Sequence, residues 1–351
     1  MSEPIGIIGC GGRTPVGANL LASAAAVRSG LSAVRVHSAP IDKGGEPMCY
    51  AADSFLDPHM AISERFGRLC DSGIGEALTP LAGHRSRVTT VPLFLGLPEP
   101  KPGLSPSLGK EIVSRLQRSV THGMGLTSMS ALPHGHAAGL MALEEAWKYL
   151  LAGQAEFCLA GGVDSYLAPE TLEWLDEEGQ LMSSQNRSGF PPGEAAGFCL
   201  LARVTTALRY NLRILARIVN VATAREPCRI KTETICIGAG LTEAIAKATG
   251  VLLPGERIDL TYCDMNGERY RNEEFTFGVL RTQKVFVDAN DHLHPADCWG
   301  DVGAASGPLF AGLAVASALR RYANGPRVLL WASSEGGQRS AAVLYLELAG
   351  R

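Results

Sequence analysis

Histidine, serine and cysteine positions carry the first chemical possibilities in this chain. His134 and His136, and His292 and His294, form two i,i+2 pairs. Imidazole is a common metal ligand, so two pairs brought together by the fold would suit a cation. No supporting ligand pattern accompanies them; polar loop positions are the expectation, and no metal or cofactor is expected. Ser128 and Ser130 lie just ahead of His134 and offer hydroxyl nucleophiles, although turn and capping roles are the commoner use of serine there. The nine cysteines are scattered singly, without a Cys-x-x-Cys, which excludes zinc ribbons and thioredoxin-like motifs. Cys10, Cys158 and Cys199 lie in apolar runs and are expected to be inert core thiols. Gly9-x-Gly11 follows a short apolar strand, but Thr14 stands at the third glycine position of a dinucleotide loop. No acidic residue ends the next strand, at 34–37, so a nucleotide site is not expected.

The elements that must position these residues read as α/β. A strand at 5–8 runs into a glycine turn and a helix near 18–29. A Pro/Gly-rich loop over 98–106 precedes a helix with Leu108, Ile112 and Leu116 on one face, for which Ser105-Pro106 is the expected start. Gly135-His136-Ala137-Ala138-Gly139 opens a helix whose Leu140, Leu143, Trp147, Leu150 and Leu151 recur at 3–4 spacing. Gly153 ends it, a strand follows at 156–160, and Gly161-Gly162 closes the unit. A similar unit recurs: Gly303-Ala304-Ala305-Ser306-Gly307, a helix through Leu319, Gly325, a strand at 328–331, and Gly336-Gly337. This weak repeat predicts two halves, 1–205 and 213–351, with strands at 214–219 and 258–263 in the second.

Composition narrows the class. Of 351 residues, 46% are hydrophobic and 19% charged, enough for a large core and too apolar for disorder. Thirty-two Lys and Arg against 35 Asp and Glu give a net charge of −3, and no basic stripe is interleaved with aromatics, so nucleic acid is not an expected partner. The odd, scattered cysteines suit a reducing compartment, and Met-Ser-Glu-Pro lacks the basic start of a signal peptide. A cytoplasmic location is therefore expected. Residues 302–319 carry no charge and reach the length of a candidate membrane span, about 18 residues. Their Gly, Ala and Ser content predicts a buried helix instead. The acidic stretch around 164–178 is expected to be a solvated face.

Four stretches, in order along the chain, resemble the thiolase-fold β-ketoacyl synthases, the condensing enzymes of fatty-acid and polyketide synthesis. Gly9-Cys10-Gly11-Gly12-Arg13-Thr14-Pro15-Val16-Gly17 resembles the family's Gly-x-Gly-x-x-Ser-Pro-x-Gly. Gly153-Gln154-Ala155-Glu156, continuing to Ala160-Gly161-Gly162, resembles Gly-Asp-Ala-Asp-x-x-x-Ala-Gly-Gly. Arg187-Ser188-Gly189-Phe190, with Gly193-Glu194-Ala195-Ala196-Gly197, resembles Arg-Asp-Gly-Phe-x-x-Gly-Glu-Gly-Ala-Gly. Gly300-Asp301-Val302-Gly303-Ala304-Ala305-Ser306-Gly307 resembles Gly-His-x-x-Gly-Ala-Ala-Gly. The resemblance implies two mixed five-stranded sheets around buried helices, in αβαβα layers. It also implies a dimer through edge-strand pairing, either with itself or with a cysteine-bearing paralogue.

The family's catalytic positions hold other residues here. Counting back from Gly153, the nucleophilic cysteine's place is taken by His136, and no cysteine lies between Cys70 and Cys158. Asn266 stands for the first catalytic histidine and Asp301 for the second. Ala296 stands where a lysine usually precedes that histidine, and Ser333-Ser334-Glu335-Gly336-Gly337 replaces a Gly-Phe-Gly-Gly turn. Condensation needs a thiolate at a helix N-terminus and two donors for an enolate. An acyl-imidazole on His136 would hydrolyse, and a carboxylate at 301 would repel the enolate. The helix N-terminus is expected to keep His136 neutral. The expectation is a degenerate ketosynthase homologue that does not condense and acts as a binding, partner or accessory subunit. Relatives without the cysteine include chain-length and initiation factors and proteins encoded beside type VI secretion effectors, so an acyl carrier protein or a secretion effector is an implied partner. The alternative is an acyltransferase or thioester hydrolase acting on acyl-carrier-protein or acyl-CoA thioesters, with His136, Asp301 and Asn266 as a general-base site.

Overall fold

Two helices that begin in small residues lie side by side, and the sheet folds around them. The computed structural model describes residues 3–229, 232 and 234–348, the side chains of Ser128 and Met129 excepted. The strands of the first part are β1 (Ile5–Arg13), β2 (Arg35–Ile41), β3 (Pro47–Tyr50), β4 (Thr90–Leu97), β5 (Val120–Thr121), β6 (Met124–Pro133), β7 (Phe157–Ser165) and β8 (Glu194–Arg203). Those of the second are β9 (Ala216–Arg225), β10 (Leu260–Cys263), β11 (His292–Leu293), β12 (Arg327–Ser333) and β13 (Gln338–Leu346). The helices of the first part are α1 (Leu20–Arg28), α2 (Ile62–Ala77), α3 (Leu108–Arg118), α4 (Ala138–Leu151), α5 (Pro169–Glu177) and α6 (Val204–Arg209). The second part adds α7 (Ala239–Thr249), α8 (Arg269–Thr282), α9 (Ala296–Trp299) and α10 (Ser306–Leu319).

The layered α/β arrangement is the one the resemblance implies, with one correction. The sheet halves are not separate: eleven strands run in the order β11-β10-β12-β13-β9-β1-β8-β7-β4-β6-β5. The join is short. Ile5, Gly6 and Ile7 pair with Ile218, Arg217 and Ala216 while their other edge pairs β8. Without β9, those three residues would present an unpaired backbone edge in a fully buried strand. β2 and β3 form a separate hairpin.

α4 and α10 fill the space between the sheet halves. One core cluster takes Leu140 and Leu143 of α4 and Leu309, Leu313 and Val315 of α10, together with Ile7, Leu201, Leu330 and Leu344 from both halves. A second cluster packs α2 and α3 on the outside of one half, and a third packs α7 and α8 on the outside of the other. All of α10 but Leu319 is buried, which accounts for its lack of charge. No helix among the described residues is long and apolar enough to cross a membrane. α3 buries Leu108, Ile112 and Leu116 as its spacing predicts, but it starts later than Ser105-Pro106 implies. Ser105 Oγ instead accepts from Ser107 N at 3.1 Å, within the turn that leads into the helix.

The turn before α10 approaches the start of α4 and β7 to backbone contact at two glycines. A Cβ on Gly162 would lie 2.0 Å from Ala304 O, and one on Gly139 would lie 2.5 Å from the same oxygen. Both partners are main chain in a close-packed interior, so neither moves cheaply. Gly162→Ala is expected to lower unfolding stability by about 3 kcal/mol or to prevent folding. Urea denaturation checks this; a variant as stable as wild type would contradict the packing described.

Candidate functional site

Three chain segments converge where α4 and α10 begin. His136 lies in a short 3-10 turn, Gly135–Ala137, that leads into α4. Asp301 lies just ahead of the equivalent turn, Gly303–Ala305, before α10. Asn266 follows β10. His136, Asn266 and Asp301, singled out in the sequence, come into direct contact. His136 Nε2 lies 2.8 Å from both carboxylate oxygens of Asp301. Asn266 Nδ2 donates to Asp301 Oδ2 at 2.6 Å, and Gly303 N donates to Asp301 Oδ1 at 2.8 Å.

A fourth side chain, not singled out in the sequence, completes the cluster. Arg271, fully buried in the first turn of α8, donates from Nε to Glu268 Oε2 at 3.1 Å. Its Nη1 donates to Asp264 Oδ2 and to Ser333 O, each at 2.8 Å. Its Nη2 stands 3.2 Å from His136 Nε2. Guanidinium has no acceptor and does not lose its proton, so this last contact is a bond only if Nε2 is bare. The two 2.8 Å contacts to an ionised carboxylate require Nε2–H instead. Nε2 therefore carries the proton that Asp301 accepts, and the Arg271 guanidinium lies beside that N–H without bonding to it.

The electrostatics agree with that assignment. Burial alone would press the His136 pKa down, but the Asp301 charge outweighs it and the net shift is upward. Burial would likewise raise Asp301; the His136 charge and hydrogen bond, Arg271 and the Gly303 N–H together hold it well below the usual carboxylate range. Arg271 and protonated His136 stand against Asp301, Asp264 and Glu268, leaving one net negative charge; a neutral ring would leave two. The helix start favours a neutral ring, and the contact with Asp301 opposes it. A helix N-terminus is worth about half a charge, less than the full carboxylate that touches the ring.

The surroundings are equally occupied. Ala137 N, the first amide after His136, already donates to Ser334 Oγ at 2.8 Å, and Ser334 in turn donates to His134 O. Gln180 Nε2 bridges Glu268 and Glu335 at 3.1 and 2.6 Å. The cavity that touches Asp264, Asn266, Asp301, Trp299 and Phe310 has a volume of about 10 Å³, close to the room of one water molecule. A cavity of about 1270 Å³ lies elsewhere, beside the β2–β3 hairpin, and none of His136, Asn266 or Asp301 lines it.

The other sequence candidates fare differently. His294 pairs with Asp297 at 3.1 Å, its ring 5.6 Å from His292, and no described cluster joins these histidines to His134 and His136. The side chain of Ser128 lies outside the described residues; Ser130 lies on β6. Cys158 and Cys199 are buried, burial pushing Cys158 up to about 12, while Cys10 is part-exposed, so two of the three thiols are core residues as expected. The acidic stretch is not wholly solvated. Asp164 is buried, takes Lys101 Nζ at 2.8 Å and accepts from Ala304 N at 3.1 Å, fixing the turn before α10. Asp176 is also buried and accepts from Lys43 N at 2.6 Å.

Residues 119–207, which hold the His136 turn, α4, β7 and β8, match the family model described as "Beta-ketoacyl synthase, N-terminal domain". Over these residues the chain is similar to the β-ketoacyl synthases. Over 207 residues, 56% of its length, the chain is 24% identical to a 3-oxoacyl-[acyl-carrier-protein] synthase homolog of Saccharomyces cerevisiae, covering 44% of that protein. It spans less than half the length of the curated relatives it matches. Its fold is that of the ishigamide ketosynthase/chain length factor, with TM-score 0.71 and 18% identity over 99% of this chain and 100% of that one. A type II polyketide synthase ketosynthase, solved in complex with its acyl-carrier protein, is similar at TM-score 0.73 and 14% identity, covering 99% of this chain and 100% of the matched one.

Removing one member of the cluster leaves buried charge uncompensated. Asp301→Ala is expected to cost about 3–5 kcal/mol of stability, read by chemical denaturation. Because the folded His136 pKa is raised, its contribution is complete below about pH 6.5 and is lost as pH rises through the folded value. His136→Gln should remove that alkaline loss. An unchanged pH profile in His136→Gln would contradict the ion pair.

Proposed function

We propose that this chain does not catalyse decarboxylative condensation and acts by binding, as a partner or accessory subunit of the ketosynthase-like family. One observation carries the reading: the family's nucleophile and histidine positions, His136, Asn266 and Asp301, are locked with Arg271 in a buried ion cluster. A condensing site must hold an acyl group and stabilise an enolate through open donors. Here Ala137 N is bonded to Ser334, Asn266 Nδ2 and Gly303 N are bonded to Asp301, and the adjoining cavity has room for about one water.

The hydrolase or acyltransferase reading is less well supported. A general base needs an unprotonated nitrogen at neutral pH. The bond to Asp301 engages Nε2 and leaves only Nδ1 to act as a base, and the raised pKa of His136 narrows the pH range over which it is free.

A dimer belongs to the proposal. β6 ends the sheet apart from the two-residue β5, which pairs only Gly125 and Met124. The outer edge of β6 beyond Gly125 is an open row of backbone donors and acceptors, suited to an antiparallel copy. The partner subunit is this chain or a cysteine-bearing paralogue. The units 1–205 and 213–351 are proposed as the two duplicated halves, a cytoplasmic location is part of the same reading, and an acyl carrier protein or a secretion effector is the proposed client.

The test pairs chemistry with assembly. Incubation of the purified protein with malonyl- and acyl-thioesters should give no condensed product, no acyl adduct at His136 by mass spectrometry, and no hydrolysis above the His136→Ala background. Sedimentation should give twice the 37.1 kDa chain mass, or one-to-one assembly with a cysteine-bearing paralogue. Turnover abolished by His136→Ala would overturn the non-catalytic reading, and a monomer that binds no paralogue would overturn the dimer.

A further inference from the structure

A second buried cluster lies on the far side of α8 from the solvent. Glu226 ends the segment after β9, Glu274 projects from α8, and Cys236 lies in the chain that leads into α7. Each offers one ligand atom, and these atoms lie within 4.8 Å of one another. Glu226 and Glu274 are buried and Cys236 is half-buried. Cluster geometry alone proves little, since acidic groups gather for many reasons.

The second observation is an orphaned atom. Glu274 is wholly buried, and its Oε1 is taken by Arg339 Nε at 2.6 Å. Among the described residues its Oε2 meets no donor in hydrogen-bond geometry, although the Ser333 hydroxyl, itself without a partner there, is close enough to favour the charged carboxylate. A buried carboxylate oxygen left unpaired costs about 1–3 kcal/mol or more, so such an atom calls for a cation or a proton. Glu226 is held in place by N–H groups, Gly240 N to Oε2 at 2.7 Å and Cys228 N to Oε1 at 3.2 Å, and each of its oxygens keeps a free lone pair. Cys236 Sγ lies 3.9 Å from Glu274 Oε1.

We propose that Glu226, Cys236 and Glu274 form a divalent transition-metal site of the zinc class. The donor set selects the class. One thiolate with two carboxylates suits a borderline cation such as Zn²⁺ and not Mg²⁺ or Ca²⁺, which take oxygen ligands. Tetrahedral zinc with these donors needs ligand atoms about 3.3–3.8 Å apart, so a contraction of about 1 Å closes the site. Charge agrees. Two carboxylates and a thiolate, less the charge of Arg339, leave two negative charges, which a dication neutralises. Binding expels the Cys236 thiol proton to solvent. Burial otherwise keeps that proton on, holding the thiol up at about 11. The ion ties the segment before α7 to α8. It also stands one side chain from Arg339, whose Nη1 donates to Ser334 O beside the His136 cluster.

Cobalt substitution tests the site without any assay of function. The chelator-treated full chain is titrated with Co²⁺, and absorbance is followed for thiolate-to-cobalt charge transfer. Wild type should bind one equivalent, with the charge-transfer band present, and one equivalent of Zn²⁺ should displace it. Cys236→Ser should lose the band while its metal-free melting temperature stays within about 2 °C of wild type, since the thiol is half-exposed. Glu226→Gln should keep the band but bind about tenfold or more weakly. No charge-transfer band in wild type, or an undiminished band in Cys236→Ser, would overturn the site.

Discussion

Asp301 carries a buried charge, and the structure around it follows from that constraint. A buried carboxylate is tolerable only with full compensation. His136, Asn266 and the Gly303 amide supply it directly. Arg271 supplies it at one remove, and Arg271 in turn requires Asp264 and Glu268. The cluster therefore recruits β10, α8 and the turns before α4 and α10. Each group is acceptable inside the protein only because the others are present. That interdependence converts a place suited to chemistry into a lock between the sheet halves.

The fold supplies the geometry of that lock. α4 and α10 enter the core from the same end, and Gly139 of α4 and Gly162 of β7 leave room for Ala304 O. Asp164, from β7, accepts from Ala304 N and holds the second turn in place. Lys101 neutralises Asp164 with its Nζ 3.4 Å from the centre of the Tyr166 ring. The amides that a helix start would offer to an anionic ligand are thus already engaged by the protein's own side chains.

Much of the fold was legible because it depends on spacing. The helix through Leu140, Leu143 and Leu150 and the small-residue helix ending at Leu319 were both readable, as was the α/β order. The joined sheet was not, because the pairing of Ile5–Ile7 with Ala216–Ile218 is a long-range register match with no local signature. α2 and α8 went unread for a related reason: their apolar positions mix with Arg65, Arg271 and Glu274, charges buried only because distant partners meet them. In the site, His136, Asn266 and Asp301 were found by position. Arg271, Glu268 and Ser334 were not, although an Asp-x-Asn-x-Glu-x-x-Arg run after an apolar strand, Asp264 to Arg271, is unusual enough to have drawn notice. The upward pull on the His136 pKa was not legible, because the helix start was weighed without the carboxylate that three-dimensional contact adds.

The account turns on one proton, and nitrogen-resolved NMR of the imidazoles reads it directly. The chain has eight histidines, so the His136 signals are assigned by their loss in His136→Gln. An imidazole bonded to Asp301 through Nε2–H should keep Nε2 protonated throughout and should titrate above the ordinary value of about 6.5. A ring that is neutral at pH 7 and titrates below 6.5 would contradict the lock and return His136 to the role of an available base.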